Sequence, residues 1–122
     1  MNYRKEIYKL CDEMTMLAFE ISKPTPNVIE SNERFKEKVK QIETSFRSIY
    51  KIMCDDENAT EFLRYGTERL ARNLCAMNFV IFSRIRENTP VEAMQRVRLH
   101  AIYWLGYLIK RIKLELDGKK ID

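Results

Sequence analysis

The sequence predicts an all-α protein, an up-down-up-down antiparallel four-helix bundle. The chain of 122 residues contains only 3 Gly and 3 Pro, which leaves room for long helices. Apolar residues recur at alternating spacings of four and three, the period of one helix face. Short polar connections separate four such segments and favour antiparallel neighbours. We therefore expect one domain, residues 1–122, with helices at about 3–22, 31–54, 59–87 and 90–117.

The first two helices each carry a single apolar stripe, and charged residues occupy most of their remaining surface. Helix one ends before Pro24, because proline cannot continue the hydrogen-bond ladder of a helix. Helix two is predicted to begin near Ser31. The stripe residues are Tyr3, Ile7, Leu10, Met14, Leu17 and Ile21 in helix one, and Phe35, Val39, Ile42, Phe46, Ile49 and Met53 in helix two.

The boundaries of helices three and four follow from their end signals. Asn58 and Glu61 have the spacing of a capping box, Pro90 fits a first helical position, and Gly118 fits a C-terminal cap. The predicted core residues are Leu63, Leu70, Leu74, Met77 and Ile81 in helix three, and Met94, Val97, Ala101, Leu105, Leu108 and Ile112 in helix four.

Helices three and four carry more apolar surface than one stripe requires. Phe79 and Phe82 fall on the far side of helix three. Helix four has a second stripe, and the glycine at its centre costs about 1 kcal/mol in a helix interior. Close approach of another backbone is one reason to keep a glycine there. We expect a homo-oligomer interface through helices three and four. The alternative is that helix four is central in an irregular bundle and is buried by its own chain. The second stripe comprises Leu99, Ile102, Gly106 and Ile109.

Basic residues alternate with tyrosines on the remaining face of helix four. Residues 60–122 contain 12 Lys/Arg and 7 Asp/Glu, a net charge of +5, whereas residues 1–59 contain 10 and 11, a net charge of −1. Cations that pair with phosphates beside rings that stack on bases predict binding of RNA or DNA. A solvated face with tyrosines under Arg and Lys stems is the alternative. The predicted contacts are Arg96, Tyr103, Tyr107, Lys110, Arg111 and Lys113, with Arg72 and Arg86 from helix three.

Several classes of protein are not indicated. The 3 Cys are widely spaced and there is 1 His, so we expect no metal site and reduced, partly buried thiols. His100 is interpreted as a surface residue. The start of the chain is charged and its longest apolar stretches have nine residues, which favours a cytoplasmic protein without membrane spans. Without a phosphate-binding Gly-rich loop or a nucleophile motif, we expect neither an enzyme nor a cofactor.

The segment Trp104–Arg111 is similar to the last helix of one bacterial family of four-helix bundles. This family contains the accessory variability determinant proteins of diversity-generating retroelements and the proteins encoded in ribosomal RNA intervening sequences. Gly106, Leu108, Ile109 and Lys110 occupy the positions of the glycine, apolar, isoleucine and basic residues typical of that helix. The resemblance implies a pentameric barrel that binds nucleic acid and, in the retroelement branch, a reverse transcriptase.

A protein-binding module is the competing hypothesis. An inhibitor or adaptor of phage or mobile-element origin would use Phe79, Phe82 and the wide apolar arc of helix four against a partner protein. Such a chain would be indifferent to nucleic acid.

Overall fold

The computed structural model describes residues 2–82 and 89–116, apart from the side chains at positions 62, 81, 82, 91, 115 and 116. It confirms the predicted fold class. Four helices, α1 (Tyr3–Ser22), α2 (Val28–Cys54), α3 (Glu61–Phe82) and α4 (Val91–Leu116), follow one another up and down. Each packs on its neighbour in sequence, α4 closes against α1, and α2 meets α4 across the bundle.

Helices α1 and α2 begin at asparagine caps. Asn2 accepts a hydrogen bond from Lys5 N at 3.1 Å, and α1 has the predicted bounds. Helix α2 begins at Val28, so the predicted start at Ser31 is wrong. The side chain of Asn27 accepts from Glu30 N at 3.0 Å and donates to its carboxylate at 3.0 Å. This reciprocal cap satisfies donors that a later start would leave unpaired.

Helix α3 also begins at a different cap from the predicted one. Thr60 Oγ1 accepts from Leu63 N at 3.1 Å, whereas Asn58 N donates to Asp56 Oδ1 at 2.9 Å within the connecting turn. The threonine therefore caps α3. Helix α4 begins one residue after Pro90, whose carbonyl accepts from Met94 N at 3.1 Å. The predicted extension of helix three to residue 87 and the predicted cap at residue 118 lie outside the described residues.

The apolar core is formed mainly by the predicted stripes, together with Cys11, Ala59 and Ala71, and the predicted side chain of Ile81 lies outside those described. All predicted core residues of α2 and α4 are buried, and Leu70, Leu74 and Met77 contribute from α3. Leu63 is half-buried against this core. Tyr3 is also half-buried, and its hydroxyl donates to the Asp56 carboxylate. Four helices thus share one interior, which holds the outward faces in place.

The three cysteines differ in burial. Cys11 is fully buried, which raises the pKa of its thiol to about 11, whereas Cys54 and Cys75 are exposed. The expectation of three partly buried thiols is therefore wrong. A residue next to a core position in sequence points about 100° away from it around the helix, so adjacency to the core does not ensure burial.

A buried arginine crosses one end of the bundle. Arg98 on α4 donates to Ser31 Oγ and Asn32 Oδ1 at the start of α2, both at 2.9 Å. It also donates to the carbonyls of Ile21 at 2.9 Å and Lys23 at 3.4 Å, where α1 ends. Burial lowers the pKa of this guanidinium from its usual value. The network joins three helices through a residue that the apolar pattern did not indicate.

Candidate nucleic-acid interface

The outward face of α4 presents cations and tyrosine rings together. Tyr103 is 75% exposed and Tyr107 is 56% exposed, and Arg96 and Lys110 are exposed beside them. Their spacing of four and three places them on the side of the helix opposite its buried stripe. His100 is exposed on the same side, as predicted. We call these residues the basic tyrosine face of α4.

A cleft of about 90 Å³ lies between α3 and α4 at the edge of this face. Arg69 of α3 and Arg111 of α4 both line it, together with Tyr107. Arg111 Nη1 donates to the Tyr107 hydroxyl at 2.8 Å, which fixes the direction of the guanidinium. The cleft therefore extends the cationic surface from α4 onto α3.

Arg69 and Tyr65 are residues that the sequence analysis missed. The guanidinium carbon of Arg69 lies 5.7 Å from the centroid of the Tyr65 ring, a cation–π contact, and Tyr65 is 62% exposed. A tyrosine four residues before an arginine occurs in both helices, as Tyr65–Arg69 and Tyr107–Arg111. This repeated spacing in the sequence could have indicated Tyr65 and Arg69 as candidate site residues.

The other predicted cations are placed less uniformly. Arg72 is exposed, but it donates to Glu68 Oε1 at 2.7 and 3.1 Å, and this contact raises the pKa of the guanidinium. Lys113 lies on the side of α4 that faces α1, 3.9 Å from Asp12 Oδ1. Lys113 is thus separate from the basic tyrosine face. Arg86 lies outside the described residues.

The second apolar stripe of α4 divides into two kinds of residue. Ile102 and Ile109 are half-buried against the core of their own chain. Leu99 is 52% exposed, and a Cβ atom added at the exposed Gly106 would meet nothing within 4 Å. Intrachain packing therefore explains the isoleucines, but it gives no reason for a glycine at position 106.

The predicted phenylalanine surface of α3 is separate from this stripe. Phe79 is 76% exposed and lines a groove between α2 and α3 together with Cys75, Asn78 and charged residues of α2. The side chain of Phe82 is not among those described. The residues predicted to form one partner surface thus occupy at least two faces of the bundle.

Neither a metal site nor a membrane span emerges from the described residues. Nowhere in ranges 2–82 and 89–116 do three or more His, Cys, Asp or Glu side chains group in a way that could hold an ion. Within the same ranges, each helix is too short or too polar to cross a bilayer.

Comparisons of the sequence with known protein families and with curated proteins, and of the structure with solved structures, find no match. The resemblance of helix four to the retroelement and intervening-sequence family stays a prediction.

Proposed function

We propose that this four-helix bundle binds nucleic acid, RNA or DNA, through the basic tyrosine face of α4 and the adjoining surface of α3, without catalysing a reaction. The observation that carries this proposal is the exposure of Tyr103 and Tyr107 between Arg96 and Lys110. The cations pair with phosphates, and the rings stack on bases. Phosphate pairing and base stacking both need cations and rings exposed on the same face.

Charge distribution supports this choice of surface. The +5 net charge of residues 60–122 contrasts with −1 for residues 1–59. A field of one sign on one half of a small protein increases the rate at which a polyanion arrives and favours its binding there. The half that contains α3 and α4 is therefore the favoured docking side.

In this proposal, the protein is a cytoplasmic homo-oligomer and acts as an accessory subunit of a nucleic-acid enzyme. Open space at Gly106 supports close approach by a second backbone. A pentamer and a reverse-transcriptase partner are what the resemblance of helix four implies. Solution mass by light scattering, with and without added RNA, tests the oligomer, and a clean monomer would contradict it.

Reversing charge on the basic tyrosine face and at Arg111, beside it in the cleft, tests nucleic-acid binding. We expect Lys110→Glu plus Arg111→Glu to weaken binding of a labelled oligonucleotide at least about tenfold at low salt and to flatten the salt dependence, because two phosphate contacts are lost. Lys40→Glu plus Lys51→Glu is the matched control. It makes the same charge change at two exposed positions of α2, diagonally across the bundle from α4.

Fluorescence anisotropy over a series of salt concentrations measures both quantities. Equal weakening by the two double variants would mean that net charge, and not this face, determines affinity. An unmodified protein that binds no nucleic acid at low salt would end the proposal.

The alternative function, a protein-binding module, is favoured by the exposure of Phe79. Phe79 is 76% exposed beside a groove of charged α2 side chains, and a partner protein could bury its ring in a pocket. Phe79→Asp would then abolish capture of that partner and leave nucleic-acid binding unchanged. Indifference to nucleic acid together with loss of capture would favour this alternative.

A further inference from the structure

The cleft between α3 and α4 combines an apolar floor with cationic walls. Leu70, Leu108 and Ile112 are buried residues that line it, and Arg69 and Arg111 line it from opposite helices. Low polarity beneath a guanidinium strengthens its attraction for an anion, because less water screens the charge. Its volume, about 90 Å³, suits one small anionic group.

Each arginine of the cleft is held by a tyrosine one helical turn before it. The Tyr65 ring supports Arg69 through its face at 5.7 Å, and the Tyr107 hydroxyl accepts from Arg111 at 2.8 Å. These contacts reduce the number of positions that each guanidinium samples. The Tyr107 hydroxyl keeps its own proton, which it can donate to an oxygen of a bound anion. Guanidinium groups match phosphate oxygens in geometry and in charge.

Each of the two helices that form the cleft carries an exposed tyrosine ring one turn before its arginine. Tyr65 stands on α3, 62% exposed, and Tyr107 stands on α4, 56% exposed. A strand that placed one phosphate in the cleft would bring the bases on either side of it toward a ring. Bases within a duplex are stacked on one another and present only their edges, whereas unpaired bases can turn a face toward an aromatic side chain.

We infer that the α3/α4 cleft binds one backbone phosphate of a single-stranded nucleic acid between Arg69 and Arg111, with flanking bases stacked on Tyr65 and Tyr107. This inference rests on the proposed function and extends it. It names the substrate class as single-stranded, and it assigns Arg69 and Tyr65 to the site. The strand crosses from one helix to the other instead of following α4 alone.

Two variants of α3 test this path. We expect Arg69→Gln to lower affinity for a labelled single-stranded oligonucleotide about tenfold and to reduce the slope of log affinity against log salt by about 0.7, the value for one phosphate contact. Tyr65→Leu lowers affinity about tenfold and leaves the slope unchanged, because a stacked ring carries no charge. Arg47→Gln, at an exposed arginine of α2 that pairs with Glu43, is the matched control and leaves both quantities unchanged.

A blunt duplex of the same length is measured in parallel, and we expect it to bind about tenfold more weakly than the single strand. Circular dichroism confirms that each variant keeps its helices. The inference would be overturned if the single strand and the duplex bound with equal affinity, or if Arg69→Gln bound the single strand as tightly as the unmodified protein does. If Lys110→Glu plus Arg111→Glu still weakened binding in that case, the proposed function would survive. If the unmodified protein bound no nucleic acid, both the proposed function and this inference would be wrong.

Discussion

Helices α2 and α4 bury similar apolar stripes but present different outer faces. On α2, Arg47 pairs with Glu43 at 2.8 Å, and Lys38 pairs with Glu20 of α1 at 2.9 Å. On α4, Arg96 and Lys110 surround tyrosines that are mostly exposed. These cations of α2 are balanced locally by carboxylates. The face of α4 exposes aromatic ring area, which the proposed function assigns to stacking on bases.

The largest expected effect on stability comes from replacing a buried phenylalanine, and an exposed phenylalanine serves as the comparison. Phe46 of α2 is fully buried and Phe79 of α3 is 76% exposed. Phe46→Ala should lower the free energy of unfolding by about 3–5 kcal/mol, because it removes buried area and leaves a cavity. Phe79→Ala should change it by less than about 0.5 kcal/mol. Urea unfolding followed by circular dichroism measures both, and similar losses would contradict this division of the bundle.

A second contrast lies within α4 itself. Arg98→Met removes the buried guanidinium and leaves the Ile21 carbonyl and Asn32 side chain without it, so we expect a loss of about 1–3 kcal/mol in unfolding free energy. Arg96→Met, two residues earlier at an exposed position, should change stability by less than about 0.5 kcal/mol.

Nucleic-acid affinity should show the reverse order in these two variants. Arg96→Met weakens binding because it removes a phosphate contact, whereas folded Arg98→Met binds as the unmodified chain does. Anisotropy measured on the samples used for urea unfolding tests this. Weakened binding in Arg98→Met with intact helices would show that the two sides of α4 are not independent.

The smallest expected effect is a gain in stability. Gly106→Ala should raise the unfolding free energy of the dilute chain by about 1 kcal/mol, since alanine favours the helix and its Cβ meets nothing within 4 Å. If another backbone packs there, the same change lowers the solution mass. Ala76→Gly, at an exposed position of α3, is the reciprocal control and should cost about as much without affecting mass. A mass unchanged in Gly106→Ala would remove this glycine from any subunit contact.

The fold was predictable because helix periodicity is a local property of the sequence. Every core position predicted in α2 and α4 is buried, and the bounds of α1 are as expected. Helix starts were less predictable, because nearby polar residues compete as caps. Asn27 caps a helix that was predicted to begin near Ser31, and Thr60 caps α3 where Asn58 was predicted to do so.

The candidate site was predictable only where it lies on one helix. Spacing along α4 placed Tyr103 and Tyr107 on one exposed face, as the structure has them. The contribution of Arg69 was missed, because the sequence does not state which turn of α3 lies beside Arg111 in an antiparallel pair. Arg98 was missed for another reason. A charged residue next to the buried stripe of a helix is expected to reach water. Here the neutral oxygens of Ile21 and Asn32 take the place of water as hydrogen-bond acceptors.

The Arg98 network has a consequence for the handedness of the bundle. Four amphipathic helices joined by short loops can turn either way around their common axis, and apolar stripes alone distinguish the two arrangements weakly. In the bundle of opposite hand, α1 and α3 exchange sides of α4, and Arg98 loses the carbonyls at the end of α1. It would keep only Ser31 and Asn32 of α2 as partners, and a buried cation that loses half of its hydrogen bonds is costly. Arg98 therefore favours the observed hand, and if a mixture of the two hands forms in Arg98→Met, unfolding departs from two-state behaviour and its urea dependence falls.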